Sequence, residues 1–331
     1  KINRLVNDLH NQLDLQDWAN ATETLQQLIA LDPNRWEFYQ NLGTIQANLS
    51  HYDQAVVTYA RGIEVAEKTL VNPADPLKAR NDIGGMLLAE GDAYNRLDNL
   101  DEAIALYEKA ITVLAQPAQA YFRECNALAN HGKSESALAA CGKAIQSDPN
   151  QWEFYQVMGG AQAQAGKNNN AVDTYARGVE VARKAVEEHP DAARAKTGLS
   201  QMLTAEGNLY SQHGEYEKAI SIFAEAAQSA AYPALPWFNL CATYYNLSRM
   251  QDAIEACDKA IASDPGMPDP YYVKASALFG HGKQQHGKYV PPAETREALN
   301  KYLSLAPFGP RATEARALLD KLDADDQPTR K

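Results

Sequence analysis

Apolar positions recur along this chain three and four residues apart, in runs separated by short polar turns, which predicts helices almost throughout. Leu5, Val6, Leu9 and Leu13 form one stripe; Ala21, Leu25 and Leu28 form the next, which stops at Asp32-Pro33 because proline cannot continue a helix interior. The pattern then copies itself. Trp36-Glu37-Phe38-Tyr39-Gln40 returns unchanged as Trp152-Glu153-Phe154-Tyr155-Gln156, 116 residues later, and Asp32-Pro33, Asp148-Pro149 and Asp264-Pro265 keep the same step. Within each copy lies a shorter period of 34: Cys125, Ala137, Cys141, Ala144 and Pro149 in one repeat, Gly91, Ala103, Tyr107 and Ala110 in another.

Trp237-x-x-Leu240-Cys241-x-x-Tyr244, followed by Ala253, Cys257 and Pro265, resembles the tetratricopeptide repeat, with cysteine where glycine and phenylalanine are usual. The resemblance recurs about eight times and covers nearly the whole chain. It implies an all-α fold, a right-handed superhelical solenoid of about eight helical hairpins closed by a C-terminal capping helix. On this reading residues 1–331 form a single solenoid: 2–35 a degenerate first repeat, 36–151 a three-repeat unit, 152–267 its copy, 268–310 an extended last repeat, 311–323 the capping helix and 324–331 a mobile tail. A hairpin too small to bury its own apolar face is stable only when stacked, so small residues (Gly43, Ala55, Gly62; Gly159, Ala171, Gly178) are read as close-approach positions. Gly84-Gly85 and Gly159-Gly160 are read the same way, as helix packing positions and not phosphate cradles.

Two departures stand out. The repeat after Trp36 begins 48 residues later, not 34; the surplus predicts extra turns on the helices flanking a loop, overhangs at 67–83 and, in the second copy, 183–199. Near the end, residues 280–292 carry three glycines and two prolines and are expected to be a loop.

Composition narrows the partners. With 31 Lys and Arg against 42 Asp and Glu the net charge is −11, which disfavours nucleic acid and anionic membranes. No apolar run reaches the ~18 residues of a membrane helix, so membrane insertion is not expected. The chain opens at Lys1 without methionine or a leader, which reads as a processed or excised protein.

The four cysteines fall in two repeats, Cys125 with Cys141 and Cys241 with Cys257, 16 residues apart each time. An antiparallel hairpin brings those two positions level. Disulfides within each repeat, free thiols and a metal site all remain open, disulfides being favoured because cysteine replaces a bulky residue at the second position. Disulfides imply an oxidising compartment, and the resemblance extends to exported bacterial repeat proteins, including Cys257-Asp258-Lys259-Ala260 and Ala298-Leu299-Asn300-Lys301-Tyr302-Leu303. A periplasmic or extracellular location follows, with the cytoplasm as the alternative. Asn20, Asn48 and Asn246 head glycosylation-type triplets.

No nucleophile has a base at a matching spacing, and His281 and His286 have no acid or cysteine beside them. No metal, cofactor or enzymatic activity is expected. The family's concave groove is lined by first-helix residues, here Gln40, Thr44, Asn48, Phe122, Asn126, Asn130, Gln156, Asn208, Gln212, Phe238, Tyr245 and Asn246. The basic clamp of chaperone adaptors is missing, its positions carrying Gln40, Leu88, Asp92 and Phe122. A lining of neutral amides suits an extended peptide or protein segment. The expected function is therefore a non-catalytic interaction scaffold; the alternative is a filament or tube built by end-to-end stacking of this chain on itself.

Overall fold

The computed structural model describes residues 1–70, 75–189, 193–280, 283–285 and 288–326, with backbone alone for 283–285, 288–290 and 324–326. It divides into two compact units, 1–167 and 168–331. The first contains α1 (Ile2–Asp14), α2 (Trp18–Leu31), α3 (Trp36–Asn48), α4 (Tyr52–Thr69), α5 (Pro76–Arg96), α6 (Leu100–Val113), α7 (Ala118–Asn130), α8 (Ser134–Ser147) and α9 (Trp152–Gln164). The second contains α10 (Asn168–Glu188), α11 (Ala193–Gln212), α12 (Tyr216–Ser229), α13 (Ala234–Asn246), α14 (Met250–Ser263), α15 (Asp269–Gly280), β1 (Lys283–Gln285), β2 (Lys288–Val290), α16 (Glu294–Leu305) and α17 (Ala312–Asp326). Inside each unit every helix packs on the next in chain order, the stacking of hairpins that the repeat pattern predicts.

Two kinds of turn punctuate the stack. Within hairpins the helix is closed by a residue in the left-handed region: Gly132 after α7 and Gly214 after α11, but Ser50 and Asp98 after α3 and α5. The geometry is a helix cap, in which Lys133 N–H reaches back to the Leu128 carbonyl at 2.8 Å and Gly132 N–H to Ala129 at 3.0 Å. An L side chain is strained there. Ser50→Gly should therefore raise stability by roughly 0.5–1 kcal/mol, and an unchanged urea midpoint would contradict this. Between hairpins, the Asp-Pro turns are held from the following helix: Tyr39, Tyr155 and Tyr271 each donate through Oη to the carbonyl of Pro33, Pro149 and Pro265, at 3.1, 3.0 and 3.1 Å.

The helices flanking 70–75 and 189–193 are long, 18 and 21 residues for α4 and α5 and 21 and 20 for α10 and α11, against 12 to 15 for the others. Their inner stripe is not left to solvent. In the first unit Val65, Ala66 and Met86 are buried in one cluster with Ile83 and Leu114 packed against it, and Arg80 Nε donates to the Val113 carbonyl at 3.2 Å.

The chain's last elements differ from the sequence reading in two places. The stretch expected as a loop contains an antiparallel ribbon, β1 against β2, pairing Lys283 with Val290 and Gln285 with Lys288. His281 and His286 lie outside the described residues. The closing helix runs to Asp326, three residues into the stretch expected as a tail, and residues 327–331 lie outside the description. Leu322 and Ala315 of α17 join Leu299 and Tyr302 of α16 in a buried cluster. The buried Tyr302 hydroxyl accepts from the Arg311 N–H at 3.0 Å, fixing where α17 begins.

Candidate functional site

The first helix of each hairpin touches the first helix of the next within its unit, α3 to α5 to α7 to α9 and α11 to α13 to α15, so their outer residues share one face. In the first unit Thr44, Asn48 and Asn130 are exposed on it, with Gln40, Phe122, Asn126 and Gln156 half-buried. In the second, Asn208, Gln212 and Asn246 are exposed, with Phe238 and Tyr245 half-buried. Phe122 is partly taken up in packing, its ring 4.8 Å from that of the buried Phe154. Thr44 accepts from the Tyr59 hydroxyl at 3.1 Å and donates to the Gln40 carbonyl at 2.9 Å.

Neighbouring first helices are cross-linked through Asp92 and Asn208 by partners the sequence reading did not name. Arg123 of α7 pairs with Asp92 of α5, which also accepts from the Tyr107 hydroxyl at 2.9 Å. The equivalents 116 residues on are Asn239 and Asn208, and there Asn239 Nδ2 donates to Asn208 Oδ1 at 3.2 Å. An ion pair in one copy has become an amide pair in the other. Both partners change together, but in sequence the two changes stand 31 residues apart among many others.

The same face of the second unit opens into a pocket of about 440 Å³ between α11 and the turn leading into α13. Thr197, Ser200 and Thr204 form its α11 wall and Asn208 one end; Ala230, Tyr232 and Leu235 face them. Thr197 lies on the surplus turns of α11, so the long helix supplies part of the wall. The hydroxyls are engaged by backbone: Thr197 donates to Ala193 at 2.8 Å, Thr204 to Ser200 at 2.7 Å and Ser200 to Ala226 at 3.0 Å. No charged side chain lines the space among the described residues.

Inside the hairpins one slot is filled in two ways. Glycine on the first helix faces an aromatic ring on the second, 16 residues later: a Cβ on Gly43, Gly91 or Gly207 would come within 2.7, 2.6 and 2.6 Å of Tyr59, Tyr107 and Phe223. In the α7–α8 and α13–α14 hairpins the slot holds Cys125 with Cys141 and Cys241 with Cys257, all fully buried, with Cα atoms 5.1 and 5.0 Å apart and the sulfurs within bonding distance. Gly84 is likewise a contact, against Leu114, whereas Gly85 has open space around it and is not the packing position expected.

Residues 88–152 and 204–268 match a family model described as tetratricopeptide repeat, and 24–57 match a second with that description. The two longer windows are in register with the internal duplication. The chain carries tetratricopeptide repeats. Solved structures agree on the fold: the C-terminal part of a repeat-containing protein from Cytophaga hutchinsonii (14% identity, 83% of this chain and 98% of that one, TM-score 0.59) and a tetratricopeptide repeat protein from Parabacteroides merdae (13%, 84% and 98%, TM-score 0.50). YrrB, described as having an unusual peptide-binding site, is also similar (17%, 64% and 97%, TM-score 0.46). No helix among the described residues is long and apolar enough to cross a membrane.

Each half of this tetratricopeptide array also buries one carboxyl at the same repeat position, Glu90 on α5 and Glu206 on α11, 7% and 8% exposed. Desolvation pushes both up to about 7; Lys109 works against this at Glu90, while at Glu206 Glu225 adds to it and Arg183 opposes it. The surroundings have exchanged sign: Arg183 pairs with Glu225 in the second unit, where the first has Glu67 and Lys109 at the matching positions. A carboxyl at about 7 when folded, against the ordinary 4.5, binds more protons folded than unfolded, so its stabilisation is complete below about pH 4.5 and is lost as pH rises through 7. Glu206→Gln should thus flatten the pH 5 to 8 stability slope and raise stability at pH 8 by about 1–3 kcal/mol. Parallel slopes for wild type and variant in urea melts would refute it.

Proposed function

We propose that this chain is a non-catalytic scaffold that holds an extended peptide or protein segment on the face shared by its first helices. The observation that carries the reading is the lining: in each unit that face repeats uncharged amides, Asn48, Asn126 and Asn130 in one and Asn208, Gln212 and Asn246 in the other. Amides offer both donors and acceptors, which is what an extended backbone needs along its length. The tetratricopeptide match supports an interaction role in general. The paired cysteines support an oxidising compartment, and hence export, because such bonds do not persist in a reducing cytosol.

Selection from a displayed library of random twelve-residue peptides tests the reading. Enriched sequences should be neutral on average, bind with micromolar affinity and lose at least tenfold on Asn126→Ala/Asn130→Ala or Asn208→Ala/Gln212→Ala. Enrichment no better than background, or affinity indifferent to both variants, would remove it.

Stacking of the chain on itself is less well supported. Ile2, Leu5 and Val6, the residues an uncapped amino end would offer, are packed against the cluster built by α2 and α3. A monomer by sedimentation at high concentration is the expected result.

A further inference from the structure

The place beside α11 is built differently in the two copies of the duplication, and the difference says what fits the pocket there. In the first unit Leu114, at the end of α6, lies so close over Gly84 that a Cβ there would sit 2.4 Å from Leu114 Cδ2. In the second unit the residues 116 positions on are Ala230 and Ser200, both lining the pocket. The side chain that covers this place in the first unit is absent from the second, and Leu88 is replaced by Thr204 in the same wall. Meanwhile the places of Gln116 and Gln119 are taken by Tyr232 and Leu235, an aromatic ring and an aliphatic group 90% and 51% exposed at the mouth. Truncation within and apolar enlargement at the rim act together: a site filled from inside has become one to be filled from outside.

The chemistry of the walls selects the occupant. Since the three hydroxyls already donate to backbone carbonyls, burying an aliphatic group against them strands no donor. With no charged wall residue among those described, an ionised group entering would lose hydration without compensation. Asn208 at one end accepts from Asn239 and has no partner for its own N–H₂ among the described residues, a donor placed for a backbone carbonyl. We infer that this pocket receives a leucine-sized aliphatic side chain of an extended, uncharged peptide segment, the segment's backbone lying along α11 over Asn208. The inference rests on the scaffold reading and adds the side-chain class and the place where it docks.

The test uses the full chain with methyl-labelled alanine, leucine and threonine, titrated with acetyl-Gly-Gly-Leu-Gly-Gly-amide and with the Ala, Asp and Lys versions. The leucine peptide should shift the Ala230, Ala231 and Thr204 methyls in a saturable way, at least tenfold more tightly than the other three. Ser200→Gly/Ala230→Leu, which rebuilds the first-unit arrangement, should abolish those shifts while leaving the helical circular-dichroism signal intact. If that variant does not fold, Leu114→Ala should instead create a second saturable site whose shifts appear at Leu88 and Ala115. Equal shifts from the lysine or aspartate peptide overturn the inference, as does equally tight binding by acetyl-leucine-methylamide, which has no peptide chain. Shifts confined to the rest of the first-helix face, for example at Ala127 and Ala129, overturn the pocket assignment and leave the scaffold standing. Absence of any shift on that face with every peptide, together with failure of the library selection, overturns both.

Discussion

Tyr107→Ala is expected to destabilise the first unit by about 3–5 kcal/mol. The side chain is 1% exposed and fills the space that Gly91 leaves across the α5–α6 hairpin, so no neighbour collapses easily into the void. Its hydroxyl is bonded to Asp92, and burial pushes the phenol well above its usual range, in keeping with a neutral, desolvated group. Two controls apportion the loss. Tyr107→Phe keeps the ring and should cost about 0.5–1.5 kcal/mol, since Phe223 fills the matching slot in the second unit. Gly91→Ala keeps the ring but pushes a methyl into it, and should cost about 1–3 kcal/mol. Urea titrations followed by circular dichroism read all three. A Tyr107→Ala unfolding free energy within about 1 kcal/mol of wild type would mean that the slot is not what joins the two helices.

How the sequence reads depends on whether a feature is written once per repeat or by a difference between repeats. The hairpins are legible because Gly43, Gly91 and Gly207, the Asp-Pro turns and the 34-residue spacing recur, and a stack needs each unit to present the same face to its neighbours. The cysteine pairs are legible for the same reason, since they occupy positions already assigned to facing helices. What escaped was the departure from identity. Leu114 against Ala230 and Asp92–Arg123 against Asn208–Asn239 look like drift in an alignment of the two copies, and only coordinates reveal that each change has a spatial partner. The ribbon at β1 and β2 escaped because three-residue strands in a glycine-rich stretch have no periodicity long enough to register. The buried glutamates were hidden differently: a charged residue next to the close-packed glycine reads as solvent-facing until the neighbouring helix is seen to cover it.

Breaking either cysteine pair is expected to cost about 3 kcal/mol, because each closes a 17-residue loop and its loss frees that loop in the unfolded chain. The pairs lie in different units, so reduction should lower the stability of both, and Cys125→Ala/Cys141→Ala should leave the second unit still sensitive to reductant. The same slot is filled elsewhere without sulfur. The glycine and aromatic ring of the neighbouring hairpins are 16 residues apart, as the cysteines are, on the same two helix positions. Cys125→Gly/Cys141→Tyr transplants the Gly91–Tyr107 solution into the α7–α8 hairpin. If the slots are equivalent, this variant should recover at least half of the stability that the double alanine variant loses, and should be indifferent to dithiothreitol in the first unit. A variant no more stable than the double alanine form would show that α7 and α8 approach each other by a route of their own, and that the covalent bond there is not an alternative to packing but a condition of it.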